Sequence, residues 1–354
     1  MNRAFLILIS FLGLMLTGCN ETSVSDTKQS GQPVLSTAQG LCDYIRDLPT
    51  VKSAEVWDNP YGQGLVIKTR HYTVYTTLLD PLMLRQVPAF MESAYKAYSS
   101  QIPDPQVSDL NFTTYLFGTR RHWEAYTKEI TGPHANVYLQ IQRGAYCLND
   151  VCIAYNIGRK ATFSVLGHEG WHQFNSVCFA YRLPSWLDEG VATLFETCHY
   201  ERGQFVFEPQ KNLNRLGALK LAMQNGNMIP LKYLIALNPG QVLPSKDSDE
   251  NISAFYAQTY ALVRFLREAH YGIRLKKYHN LLIAGSRGNW PLTDEQVRIA
   301  SDRRIPLTVS WNQQVSPKLF GLYIESDIER LEKEYLTFCG KLVSRVRVQG
   351  QLQK

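Results

Sequence analysis

His168-Glu169-Gly170-Trp171-His172 sets two histidines four residues apart, with a glutamate directly after the first. On an α-helix, residues four apart lie on one face, so both imidazoles can reach one metal ion. Glu169 stands beside that face, placed to take a proton from an attacking water rather than to ligate. Two metal ligands and a general base on one helical turn is the arrangement of zinc-dependent peptide hydrolysis. A catalytic zinc keeps three protein ligands and one open position. Glu189, in Trp186-Leu187-Asp188-Glu189-Gly190-Val191-Ala192, is the candidate third ligand. Glu196 shares its helical face and is a candidate to hydrogen-bond a ligand histidine from behind.

These residues need rigid elements to hold them. Apolar Phe163, Val165, Leu166 and Phe174, in a run without proline, predict a helix over 161–177. Pro184 and Ser185, with Asp188 three residues after the serine, read as a capping box opening a second helix. That start puts Glu189 in the first turn. Upstream, 65–77 and 112–117 read as strands, and 41–48, 81–99 and 122–130 as helices. Residues 137–157 read as two strands around a Cys147–Cys152 turn, whose edge beside the metal helix could pair with an extended substrate. Downstream, 213–224, 231–237, 253–270, 274–284 and 324–343 read as helices. The expected fold class is α+β, a mixed sheet carrying the metal helix followed by a mainly helical C-terminal lobe, with lobes at 39–200 and 201–343 and a tail at 344–354.

The two motifs together, HEGWH and SWLDEGVATLFE, resemble the gluzincin metallopeptidases, whose aminopeptidase N branch carries HExxH and then WLNEGxAxxxxE. The upstream strand–helix–strand order is most similar to the smaller peptidase-MA-like members. The resemblance spans roughly residues 60–340, strongest at the motifs. It implies a zincin-like fold, Zn²⁺ held by His168, His172 and Glu189, Glu169 as base and a peptide or protein substrate. It also implies a role for Tyr256, which matches the tyrosine that this branch uses to hydrogen-bond the oxyanion. Thr259 stands where that branch has glycine, and Tyr260, one turn on, is the alternative. Sixteen residues separate His172 from Glu189, fewer than in the aminopeptidase branch, and the Gly-Ala-Met-Glu-Asn stretch that anchors a substrate amino terminus is absent. The missing anchor points away from an aminopeptidase.

The chain has 354 residues, 45% of them hydrophobic, enough for a large core. Its net charge of +6 is spread in short pairs such as Arg120-Arg121 rather than along a stripe, which excludes nucleic acid as a partner. Residues 1–18 read as a signal peptide ending in Leu16-Thr17-Gly18 before Cys19, which looks like a lipobox. Cys19 would then carry the lipid, and 19–38 would be a flexible tether. The expected location is the bacterial cell envelope, lipid-anchored in the outer membrane and facing the periplasm. An exported chain favours disulfides, and the remaining cysteines suggest Cys147–Cys152, Cys178–Cys198 and Cys42–Cys339. The function expected is a zinc peptidase. The alternatives are a non-catalytic zinc-containing envelope binding or assembly lipoprotein, and a zinc amidase acting on a cell-wall cross-bridge.

Overall fold

The computed structural model describes residues 35–103, 110–141, 144–241, 248–305 and 308–347. The signal peptide, Cys19 and most of the tether and tail lie outside the described residues. Helix α1 (Ala38–Ile45) leads into the antiparallel strands β1 (Ser53–Val56), β2 (Leu65–Lys68) and β3 (Tyr72–Thr76). Helix α2 (Pro81–Ser99) crosses to β4 (Phe112–Phe117), which runs parallel to β3. Helices α3 (Arg120–Thr131) and α4 (Ala135–Leu139) follow, then the hairpin of β5 (Ala145–Leu148) and β6 (Val151–Tyr155). β6 runs parallel to β4, so the sheet is mixed, in the order β1-β2-β3-β4-β6-β5.

The remaining chain is mainly helical. α5 (Arg159–Cys178) and α6 (Ser185–Ala192) precede a second hairpin, β7 (Cys198–Glu201) with β8 (Gln204–Phe207). Then come α7 (Leu213–Gln224), α8 (Leu231–Leu234), α9 (Ser248–Glu268), α10 (Leu275–Ser286), α11 (Asp294–Ser301), α12 (Val309–Tyr323) and α13 (Ile328–Val343). None of the described helices is long and apolar enough to cross a membrane. The α+β architecture is as expected.

Details differ from the sequence reading, each for a local reason. The run 65–77 is two strands, because Glu92 of α2 pins a turn between them, accepting from Thr69 Oγ1 at 2.6 Å and His71 N at 2.8 Å. The first part of 137–157 is α4 rather than strand. The β7–β8 hairpin stands in a stretch to which the sequence reading assigned no element, and the cut at 200/201 falls inside it. It turns through Arg202 and Gly203, both with positive φ, 48° and 84°, which suits a two-residue hairpin loop.

Strand alternation sorts the sheet into two faces. Ile67, Val74, Leu116 and Ala154 face the main core with α1, α2 and α5. Phe117, Tyr146, Ile153 and Tyr155 face a smaller aromatic core with Trp123 of α3 and Tyr138 of α4. The main core continues through α6, α7, α9 and α13 without a break. This continuity fixes α5 between sheet and helical region, and every residue of α5 from Thr162 to Asn175 is buried.

Candidate metal centre

Three contacts from outside α5 hold it at this depth. Thr162 Oγ1 accepts from Ile157 N at 2.9 Å and ties down the first turn. Arg303 donates to Phe179 O at 2.9 Å and caps the last turn, where the helix dipole favours a cation. Tyr98 of α2 donates to Gly167 O at 2.8 Å. The same phenol explains the central glycine of the motif, since a Cβ on Gly170 would lie 2.4 Å from Tyr98 Oη. Gly190 is required in the same way, as a Cβ there would lie 2.6 Å from Thr259 O of α9. Both motif glycines are therefore sites of close helix packing.

His168, His172 and Glu189 converge, with ligand atoms all within 4.8 Å of one another. Glu189 Oε2 lies 3.3 Å from His168 Nε2 and 3.7 Å from His172 Nε2. All three atoms are buried without a hydrogen-bond partner. A buried polar atom without a partner is strongly disfavoured, and three aimed at one point fit a metal ion. Formal charge agrees, because the four buried or half-buried carboxylates Glu169, Asp188, Glu189 and Glu196 outnumber the two guanidinium groups nearby, buried Arg215 on Glu196 and half-buried Arg303 near Asp188.

Each histidine is oriented from behind by a carboxylate. His168 Nδ1 lies 2.9 Å from Glu196 Oε1, and His172 Nδ1 lies 3.0 Å from Asp188 Oδ1. A ring that donates through Nδ1 presents the Nε2 lone pair forward. Glu196 is itself clamped, accepting from Asn212 Nδ2 at 2.8 Å and Arg215 Nε at 2.8 Å. Burial would raise its pKa, but the charge of Arg215 and the His168 hydrogen bond pull it down to about 2. Burial opposes charge on His168 as well, yet Glu189 and Glu196 raise it to about 10 in the metal-free centre. For His172 burial is likewise overcome, chiefly by Asp188 and Glu189, and its pKa rises to about 9.

Tyr256 of α9 is fully buried, with its ring centroid 6.2 Å from that of His168 and 4.9 Å below the Arg215 guanidinium. Burial and the nearby Glu189 push its phenol well above the ordinary range, so it stays protonated as a donor. Tyr260 is used elsewhere, donating to Pro209 O at 2.6 Å and accepting from Arg264 at 2.8 Å. No protein-family model and no curated protein matches this chain.

The structure brings His168, Glu169, His172, Glu189, Glu196 and Tyr256 into one region and leaves the cysteines unpaired. All six described cysteines are free thiols. Cys147 and Cys152 oppose each other across the β5–β6 pair without a bond, and Cys147 Sγ donates to Glu169 O at 3.0 Å. Cys42 lies on α1 against β1, whereas Cys339 lies on α13 against α7, α8 and α9. Phe195 O abuts Gly167, near the middle of α5, and Cys198 follows three residues later. Cys178 is eleven residues further along α5, about 16 Å at the helical rise. The predicted capping box is also absent, because Pro184 is the N-cap and Ser185 makes no cap bond. Asp188 instead accepts from Trp171 Nε1, His172 Nδ1 and Asn175 Nδ2. Its position next to Glu189 was the available signal. Asn212 and Arg215 gave none, being distant in sequence.

Proposed function

We propose that this chain is a zinc-dependent peptidase of gluzincin type with a zincin-like catalytic lobe. The observation that carries the reading is the trio of buried, partnerless atoms, His168 Nε2, His172 Nε2 and Glu189 Oε2, with each histidine oriented by a carboxylate. Two histidines and one glutamate form a donor set suited to catalytic zinc. Zinc bound there supplies Lewis acidity toward a carbonyl and makes water a better nucleophile.

The chain's own residues do the rest. Glu169, next in sequence to a ligand, takes the proton of the attacking water and passes it to the leaving amine. Tyr256 donates a hydrogen bond to the developing oxyanion. The substrate backbone pairs with the free edge of β5. Leu148 and Val151 flank the two-residue turn as a hydrogen-bonded pair, so the N–H and C=O of Cys147 turn outward. The Cys147 thiol lies on Glu169 O, so that edge runs past the base. The proposed setting is the bacterial envelope, with the chain anchored through a lipid on Cys19.

Metal analysis combined with digestion of a diverse peptide library tests the reading. Wild type should hold one zinc per chain and cleave. Glu189→Ala should lose metal, while Glu169→Gln should keep it and lose about 10²- to 10⁴-fold in turnover. Cleavage that survives Glu169→Gln would refute the mechanism.

A further inference from the structure

A second recess lies next to the metal centre without opening onto it. It is a groove of about 420 Å³ between α2, the β7–β8 hairpin and the end of α9, and none of His168, His172, Glu189 or Tyr256 lines it. Leu194 and Phe195, just ahead of Glu196, form its inner wall. The volume falls in the range of about 300–1,000 Å³ typical of ligand sites.

Three features of the groove point to one kind of occupant. Leu194, Phe195, Phe205, Phe207 and Pro209 make its wall largely apolar. Lys96 and Arg267 give it positive charge, and no Asp or Glu is among the described residues that line it. Lys96 is exposed and makes no ion pair among the described residues. Arg267 is held in place by donating to Gln101 Oε1 and by lying 5.8 Å from the Tyr278 ring centroid, and a guanidinium retains further donors.

The third feature is a strand edge. β8 is paired with β7 alone. Glu201 and Gln204 flank the two-residue turn as a hydrogen-bonded pair, so Phe205 and Phe207 turn their N–H and C=O groups away from β7. Ser93 Oγ of α2 takes the Phe205 N–H at 3.0 Å. The Phe205 C=O and both Phe207 groups remain along a strand whose four residues all line the groove. A row of alternating donors and acceptors is matched by another backbone, not by a plain hydrocarbon chain.

We infer that this groove docks the free C-terminal end of an extended peptide. The last residues add to the β8 edge, their apolar side chains lie against Phe195, Phe205 and Phe207, and the carboxylate sits between Lys96 and Arg267. This site is separate from the metal centre and does not depend on cleavage there.

Fluorescence anisotropy on the full chain tests the inference, with a fluorescein-labelled hexapeptide ending in Ile-Phe and a free carboxylate. The Glu169→Gln variant is the protein used, so the peptide survives the measurement. Binding should saturate, and the C-terminal amide of the same peptide should bind about tenfold or more weakly, as expected for loss of a charge-assisted hydrogen bond. Lys96→Glu should weaken the acid peptide by about the same factor without changing the melting temperature. Arg267→Gln provides a second variant that can still reach Gln101. Removing the metal with a chelator should leave the affinity unchanged. Equal binding of acid and amide, or no saturation, overturns the inference. So does loss of binding on chelation, which would move the peptide to the metal centre. Laurate binding more tightly than the peptide would make the groove a fatty-acid site and overturn it as well.

Discussion

The two candidate ligand histidines sit one turn apart on α5, yet they are held from behind in opposite ways. His172 leans on Asp188, whose other partners, Trp171 and Asn175, lie on the same short stretch of chain. That carboxylate is 22% exposed. His168 leans on Glu196, which is 3% exposed and clamped by Asn212 and Arg215 from the start of α7. One support joins two consecutive helices and is partly solvated. The other is a buried ion pair assembled from two distant segments, and Arg215 also covers the Tyr256 ring. A buried pair is strongly destabilising to break from one side, whereas a partly solvated carboxylate has water as a substitute partner. The His168 side should therefore couple metal orientation to global stability, and the His172 side should tune the metal alone.

Arg215→Ala gives the largest expected effect on folding. It strands the Glu196 carboxylate in the core, and the loss should be about 3–5 kcal/mol in denaturant unfolding of the metal-free protein. A loss below about 1 kcal/mol would mean that the pair is solvated, and the contrast would fail.

Asp188→Asn keeps an acceptor for His172 and removes the charge. Metal affinity should fall about 10- to 100-fold, as for other outer partners of ligand histidines. Unfolding free energy should change by about 1 kcal/mol or less. If Asp188→Asn unfolds the protein as readily as Arg215→Ala, the two supports are equivalent.

Acid titration sharpens the comparison with the smallest signal. The Glu196 pKa is depressed to about 2 in the fold, below the ordinary value of about 4.3 for an unfolded glutamate. The unfolded state therefore binds the proton first. The stability from this group is complete above the unfolded pKa and drains away as pH falls from there toward the folded one. Urea unfolding at stepped pH should show that decline in wild type and a shallower one in Glu196→Gln. An unchanged slope would place the sensitivity in another carboxylate.

Much of the centre was legible before any fold was known, because its chemistry is written in local spacing. His168, Glu169 and His172 occupy one turn, and a short helix start brings Glu189 into reach. The helices 81–99 and 213–224 also read correctly. Some short elements did not, although 112–117 reads as the strand it is. The 65–77 run hides a turn held by bonds between Thr69 and Tyr72 and by Glu92 of the distant α2, and the β7–β8 hairpin depends on two positive φ angles at Arg202 and Gly203. Asp188 was misread because the cap pattern it completes is local, while its real partners lie on another helix. Disulfide pairing was not legible either, since an even cysteine count carries no distances: Cys147 and Cys152 do oppose each other across β5–β6, whereas Cys42 and Cys339 lie on elements packed in different places.

The sequence by itself determined which groups can meet a metal, since α-helical geometry turns a four-residue spacing into one face whatever surrounds it. It also placed Glu189 and Glu196 on a common face downstream. Only the tertiary structure decided which carboxylate backs which histidine, that Tyr256 rather than Tyr260 lies at the centre, and that Arg215 closes the charge network. Those choices depend on how α7 and α9 pack against α5 and α6, and that packing is set by the shape of a core drawn from the whole chain.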